Sequence, residues 1–181
     1  MASARHIFLN KFMKYAELHC ISNFTFLRGA SHPEELIQTA NKLGYEALAI
    51  TDECSLSGIV RAHVAAKKFN IKLIIGAEIK IDDELSLVFL VQNKKGYESL
   101  SNLITHGRRA AKKGEYILTR KDIANGIPGC CVLWYPKTLE KKDGVWLSKI
   151  FGNNLWISIR KLANSSDNHH MYKSINLAQQ L

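Results

Sequence analysis

From Tyr15 onward, short apolar runs alternate with segments in which apolar residues recur at spacings of three and four. This alternation predicts repeated strand-helix units and a mostly parallel sheet, because a buried strand reads as a continuous apolar run while its crossover helix keeps one apolar stripe. Strands are predicted from Tyr15 to Cys20, over Ala47-Leu48-Ala49-Ile50, from Leu73 to Ile81 and from Leu85 to Gln92, the last two separated by the turn Asp82-Asp83-Glu84. Later strands are expected from Cys131 to Trp134 and from Leu155 to Ile159. Ser31, followed by His32, Pro33 and Glu34, predicts a capping box that opens a helix with the apolar face Leu36, Ile37, Ala40 and Leu43, and Gly44 is placed to end it. Further helices are expected from Gly58 to Phe69, Gly96 to Lys113, Leu139 to Phe151 and Asp167 to Leu181.

The 181 residues, 46% hydrophobic and 23% charged, suit one globular domain with a real core. Three prolines and eleven glycines without any Ser/Gly tract leave no place for a flexible linker. Lys and Arg number 25 against 16 Asp and Glu, and the net charge of +9 favours a polyanionic partner such as a nucleic acid. None of Cys20, Cys54, Cys130 and Cys131 forms a C-x-x-C pair, so a zinc knuckle is not expected; the vicinal Cys130 and Cys131 lie in an apolar run and read as packed thiols of a reducing compartment. The N-terminal apolar stretch is too interrupted for a secretory signal and no window approaches a membrane span, so a cytoplasmic protein with no membrane partner is expected.

Chemistry in parallel α/β folds gathers at the carboxyl ends of strands. His19 ends the first predicted strand, Thr51-Asp52-Glu53 ends the second and Glu78 lies late in the third, so three successive strands deliver an imidazole and three carboxylates to one rim. That mixture of donors is what zinc, manganese or iron sites use to activate a water for phosphoester attack. The same residues also admit a structural reading, with His19 as a hydrogen-bonded histidine, Asp52 as the cap of the following helix and Glu78 paired with a lysine. Separately, Arg108, Arg109, Lys112 and Lys113 place four cations within two helical turns, either as a nucleic-acid contact or as a solvated helix end that complements the helix dipole.

The stretch from Tyr15 through Glu-Leu-His-Cys-Ile-Ser-Asn-Phe-Thr-Phe-Leu-Arg-Gly-Ala-Ser-His-Pro-Glu-Glu-Leu, and then Gly44-Tyr-Glu-Ala-Leu-Ala-Ile-Thr-Asp-Glu-Cys-Ser-Leu-Ser-Gly-Ile-Val-Arg-Ala-His, resembles the start of the PHP (polymerase and histidinol phosphatase) domain of bacterial error-prone DNA polymerases. These C-family enzymes are related to the replicative polymerase III alpha subunit. The resemblance continues through Lys72-Leu-Ile-Ile-Gly-Ala-Glu, Ile104-Thr-His-Gly-Arg-Arg and Leu155-Trp-Ile-Ser-Ile-Arg. It implies an α/β fold, a partial PHP-type distorted (β/α)7 barrel truncated before its C-terminal strands, with residues 1–14 as an N-terminal extension and 15–181 as the N-terminal part of the domain.

Active relatives of this kind hold up to three metal ions at the barrel rim. Here the His-x-His motif reads His19-Cys20-Ile21, the Thr-Asp-His motif reads Thr51-Asp52-Glu53, and the third-strand glutamate matches Glu78. An isoleucine cannot ligate a metal, so the resemblance implies a degenerate site at His19, Asp52, Glu53 and Glu78 that holds Zn or Mn weakly at best. A structural domain of a DNA-directed DNA polymerase acting in DNA synthesis and damage-tolerant repair is expected, inactive by itself, with the rest of the polymerase, DNA and other replication or repair proteins as partners. The parent enzyme's Mg would bind outside this chain. The alternative is a metal-dependent phosphoesterase of the PHP superfamily with His19, Glu53 and Glu78 as ligands.

Overall fold

The computed structural model describes residues 14–82, 85–136, 141–159 and 167–181. Six strands, β1 (Ala16–Cys20), β2 (Ala47–Ile50), β3 (Lys72–Ile81), β4 (Leu85–Val91), β5 (Cys130–Trp134) and β6 (Leu155–Ile157), make one sheet in which each strand neighbours its successor. The α-helices among the described residues are α1 (Pro33–Lys42), α2 (Ile59–Phe69), α3 (Lys94–Arg109), α4 (Lys141–Phe151) and α5 (Asp167–Gln179).

Local chemistry sets the helix ends. Pro33 opens α1, Glu34 and Glu35 lie in its first turn, and the Glu35 carboxylate accepts the His32 backbone N–H at 2.8 Å. The cap is therefore His32, one residue beyond the expected Ser31, while Gly44 takes the left-handed conformation (φ +75°) foreseen for a terminating glycine. Asn93 caps α3 by accepting the Gly96 N–H at 3.0 Å, and α3 stops at Arg109, short of the expected Lys113.

The sheet is mostly parallel, as the pattern predicts, with an antiparallel centre. β1–β2, β2–β3 and β5–β6 are parallel, but β3–β4 and β4–β5 are antiparallel. Only residues 82–84 join β3 to β4, and a parallel crossover needs a dozen residues or more, so a hairpin is the sole connection that fits. Asp83 and Glu84 of the expected turn lie outside the described residues, as do residues 1–13 of the expected extension and the start of the helix expected from Leu139.

β3 works as a splice. Lys72 to Ile75 pair with β2, and from Gly76 onward the strand pairs with β4 instead. At Gly76 the β4 backbone comes so close that a Cβ would stand 2.5 Å from the Phe89 carbonyl oxygen. Two apolar clusters flank this splice, and a third, of Ala49, Val88, Leu90 and Leu133, spans it. Ile37, Ala40, Ala62 and Ala65 of α1 and α2 pack on Leu48 and Ile50, and Ile79, Phe89, Leu100, Trp134, Leu147 and Phe151 fill the space between the antiparallel strands, α3 and α4. Each fully buried side chain of this size contributes roughly 1.5–3 kcal/mol.

Among the described residues β1 and β6 are the outer strands, and Tyr15, Leu18 and Trp156 stay exposed beside them. No described helix is long and apolar enough to cross a membrane. All four cysteines are free.

Candidate functional site

After β1 the chain folds into a tight loop that sets up the rim. The Thr25 N–H donates to the Ser22 carbonyl (2.9 Å), the Gly29 N–H to the Thr25 carbonyl (2.9 Å) and the Asn23 N–H to the Ser31 carbonyl (2.9 Å). Gly29 is required at this return, because a Cβ there would meet the Ser22 carbonyl oxygen at 1.9 Å. Leu27 takes the left-handed conformation (φ +61°), an arrangement that costs a non-glycine residue about 1 kcal/mol or more.

Asp52, buried just past the end of β2, organises this loop. Its Oδ1 accepts the Ser22 N–H and the Thr25 hydroxyl, and its Oδ2 accepts the Ser22 hydroxyl, all at 2.7 Å. The Thr25 oxygen in turn accepts the Glu53 N–H at 3.0 Å. Asp52 is thus saturated by neutral donors, and it holds the loop after β1 rather than capping the helix that follows it.

Glu53 and Glu78 come side by side through a single parallel bridge beyond the regular β2 ladder, reinforced by the Cys54 N–H donating to the Glu78 carbonyl at 2.8 Å. The Glu78 carboxylate, buried at the rim, accepts His19 Nε2 at 2.8 Å and a guanidinium fork from Arg28, with Nη1 to Oε1 at 3.0 Å and Nη2 to Oε2 at 3.1 Å. Arg28 Nη1 also bonds Glu53 Oε2, so one nitrogen bridges both carboxylates. On its other oxygen Glu53 pairs with Lys80 Nζ at 2.7 Å and accepts the Tyr116 hydroxyl at 3.1 Å, and that hydroxyl accepts the Lys80 N–H at 3.0 Å. Lys80 lies two residues along β3 from Glu78 and so on the same face.

These contacts fix the charge states. Burial alone would raise the Glu78 carboxyl, but hydrogen bonds from His19 and Arg28 outweigh it and hold the group down at about 2. Burial likewise opposes ionisation of Glu53, and Lys80 and Arg28 outweigh it, keeping it below the usual carboxylate range. The hydrogen bond to Glu78 pushes Arg28 above its ordinary value. Burial pushes the nearby Cys54 thiol up to about 11, which leaves it no nucleophilic character near neutral pH.

His19, Asp52, Glu53 and Glu78 therefore share one rim, as the strand-end pattern predicts, but in two separate groups. The cation on Glu78 is an arginine, not the lysine of the structural reading, and Arg28 belongs to neither expected set of site residues. Of the basic run, Arg108 is spent internally: its guanidinium donates to the carbonyls of Cys54 (3.1 Å), Glu53 (3.2 Å) and Gly114 (3.2 Å) and lies 5.3 Å from the centroid of the Tyr116 ring. It braces the rim with most of its five N–H donors turned to backbone carbonyls, whereas Arg109, Lys112 and Lys113 are exposed.

Residues 17–132 match the family described as the PHP domain, which takes in β1 through most of β5 and all of the rim. The chain belongs to the PHP domain family. This PHP domain is 48% identical over 168 residues to the error-prone DNA polymerase of Pseudomonas fluorescens, an alignment of 92% of this chain and 16% of that protein. It is 52% identical over 160 residues to the error-prone DNA polymerase of Dechloromonas aromatica, covering 85% of the chain and 16% of the polymerase. The PHP domain thus spans 16% of the length of these curated relatives. Among solved structures, an amidohydrolase from Chromobacterium violaceum superposes with a TM-score of 0.66 at 15% identity, over 91% of this chain and 83% of that one. A protein from Bifidobacterium adolescentis assigned as a metal-dependent phosphoesterase gives 0.65 at 13% identity, over 91% and 84%. At those identities the two neighbours establish the fold alone.

Metal binding at such a rim needs carboxylates and imidazoles free to converge on one point. Among the described residues no three His, Cys, Asp or Glu side chains form a group that could hold a metal ion. Asp52 is consumed by Ser22 and Thr25, and Glu53 and Glu78 carry Arg28 and Lys80 as counter-charges. The donor set as arranged does not fit Zn or Mn.

Proposed function

We propose that this chain is the PHP-domain portion of an error-prone DNA polymerase of the C family, and that it serves there as a structural module without hydrolytic activity. The identity to such polymerases over most of the chain supports the first half of this reading. The second half rests on one observation, the Arg28 guanidinium bridging Glu53 and Glu78. Metal-assisted phosphoester hydrolysis needs an open coordination position where a bound water becomes hydroxide near neutral pH. A guanidinium offers five N–H donors and no such position, so it balances the charge of the carboxylates without activating water.

In the longer protein, the activity would be primer extension in damage-tolerant DNA synthesis and repair, in the cytoplasm, with Mg held outside these residues and with DNA and other replication or repair proteins as partners. Arg109, Lys112 and Lys113 are the exposed cations assigned to the DNA backbone. The test is turnover of a generic phosphate ester by the purified chain with added Mn²⁺, against a metal-free blank and a His19→Ala variant. No metal-dependent turnover is expected. Robust turnover that disappears in His19→Ala overturns the structural reading in favour of a metal-dependent phosphoesterase.

A further inference from the structure

We infer that Arg28 is the resident cation of this rim, a side chain that occupies the meeting point of His19, Glu53 and Glu78 and thereby closes it to divalent metal ions. This deepens the structural reading proposed above and rests on it, but it fails separately, because its readout is metal binding and not turnover.

The geometry is that of a bridging cation. Arg28 Nη1 touches Glu53 Oε2 and Glu78 Oε1 from two different chain segments, and Nη2 completes the fork on the same Glu78 carboxylate that His19 Nε2 contacts at 2.8 Å. With Lys80 on the second oxygen of Glu53, two cations balance two carboxylates. Carboxylates withdrawn from water need such counter-charge, and removing it leaves them costly.

The loop that delivers Arg28 is built for that purpose at some conformational expense. Leu27, the preceding residue, is held in the left-handed region, and Gly29, the following one, is packed where no side chain fits. Asp52 fixes the other arm of the same loop through Ser22 and Thr25. An incidental surface ion pair has no such support, because exposed arginines pay side-chain entropy to hold one geometry and gain little by it.

Taking away the guanidinium should therefore uncover the donors it now satisfies. Zn²⁺ and Mn²⁺ binding to chelator-treated protein, followed by titration calorimetry and by the shift in melting temperature, compares the wild-type chain with Arg28→Ala and Arg28→Gln. The wild type is expected to show no saturable binding at the rim and no metal-dependent shift. The Arg28 variants are expected to bind Zn²⁺ at least about tenfold more tightly than the wild type, to gain melting temperature on binding, and to lose both effects when His19→Ala or Glu78→Gln is added. Equal binding by wild type and variants, binding that survives His19→Ala and Glu78→Gln, or folded Arg28 variants that bind no metal would each overturn the inference. If Arg28→Ala does not fold, Arg28→Gln carries the test; refolding of either on adding Zn²⁺ supports the inference, and failure of both to fold at millimolar Zn²⁺ overturns it.

Discussion

Asp52 and Glu78 sit at the same rim, both buried, and the fold settles their charges by opposite means. Asp52 is met by two hydroxyls and a backbone N–H, all at 2.7 Å and all from one short loop. Glu78 is met by an imidazole and an arginine fork. Neutral donors are directional and indifferent to salt, so they suit a part that must hold a backbone shape. Cationic donors carry charge across a greater distance and respond to pH and ionic strength. The two regions are also ordered, since the knot at Asp52 shapes the loop on which Arg28 is carried. The difference shows how a rim with carboxylates from adjacent strand ends can be settled by side chains: local dipoles make the scaffold, and the scaffold aims the cation.

The sharpest break should come at the scaffold. Asp52→Ala orphans the buried Ser22 and Thr25 hydroxyls together, and about 3–4 kcal/mol of stability is expected to go, measured by urea unfolding. Because that loop carries Arg28, a double-mutant cycle of Asp52→Ala with Arg28→Ala should be strongly non-additive. Additive losses would mean that the two regions are independent. Arg28→Ala alone should cost less, about 2 kcal/mol, since the Arg28 side chain is 38% exposed and part of the pair is already screened by solvent.

The pH response then separates the two regions further. Glu78 stands at about 2 in the fold against an ordinary value of 4.5, so its contribution is complete above pH 4.5 and is lost as the pH falls towards 2. In Arg28→Ala the carboxyl loses one source of that depression, and the acid-unfolding midpoint should move to higher pH; an unmoved midpoint would show that His19 alone holds the carboxyl down. Tyr116→Phe removes both the hydrogen bond to Glu53 and the acceptor of the Lys80 N–H, for about 1 kcal/mol. Lys80→Ala should have the smallest effect, about 0.5 kcal/mol, and it should fade at high salt because Lys80 is partly exposed.

Much of this arrangement was legible from periodicity. The apolar runs placed all six strands within a residue or two of their observed ends, and the strand-end rule brought His19, Glu53 and Glu78 to one rim. The alternation of runs carries no sign of the antiparallel centre, whose signal is the turn expected at residues 82–84, too short for any crossover. Arg28 escaped because it lies in an aperiodic loop, where hydrophobic patterning says nothing of direction. Its trace in the sequence is a matter of charge balance, since a lone cation beside an invaginating glycine in the loop after β1 is a ready partner for acids at neighbouring strand ends. Arg108 differs from its neighbours for the complementary reason: a cluster of cations reads as a surface feature, but the guanidinium of the last-but-one residue of α3 reaches the backbone carbonyls of Cys54 and Glu53 at the rim.

The splice in β3 bears on how the molecule breathes. Among the described residues, the parallel part, β1 to the first half of β3, and the antiparallel part, the second half of β3 through β5, meet through backbone hydrogen bonds at Glu78, where the Cys54 N–H meets the Glu78 carbonyl and the Glu78 N–H reaches Thr51 and Asp52. Arg28 and Lys80 join side chains across that seam and act as rivets between the two units, beside the apolar cluster of Ala49, Val88, Leu90 and Leu133 that also spans it. In the intact protein the amide protons of Cys54 and Glu78 should exchange with deuterium as slowly as those in the middle of β4. Once the rivet at Arg28 is removed, these two amides should become the first interior ones to exchange, while β4 and β5 keep their protection.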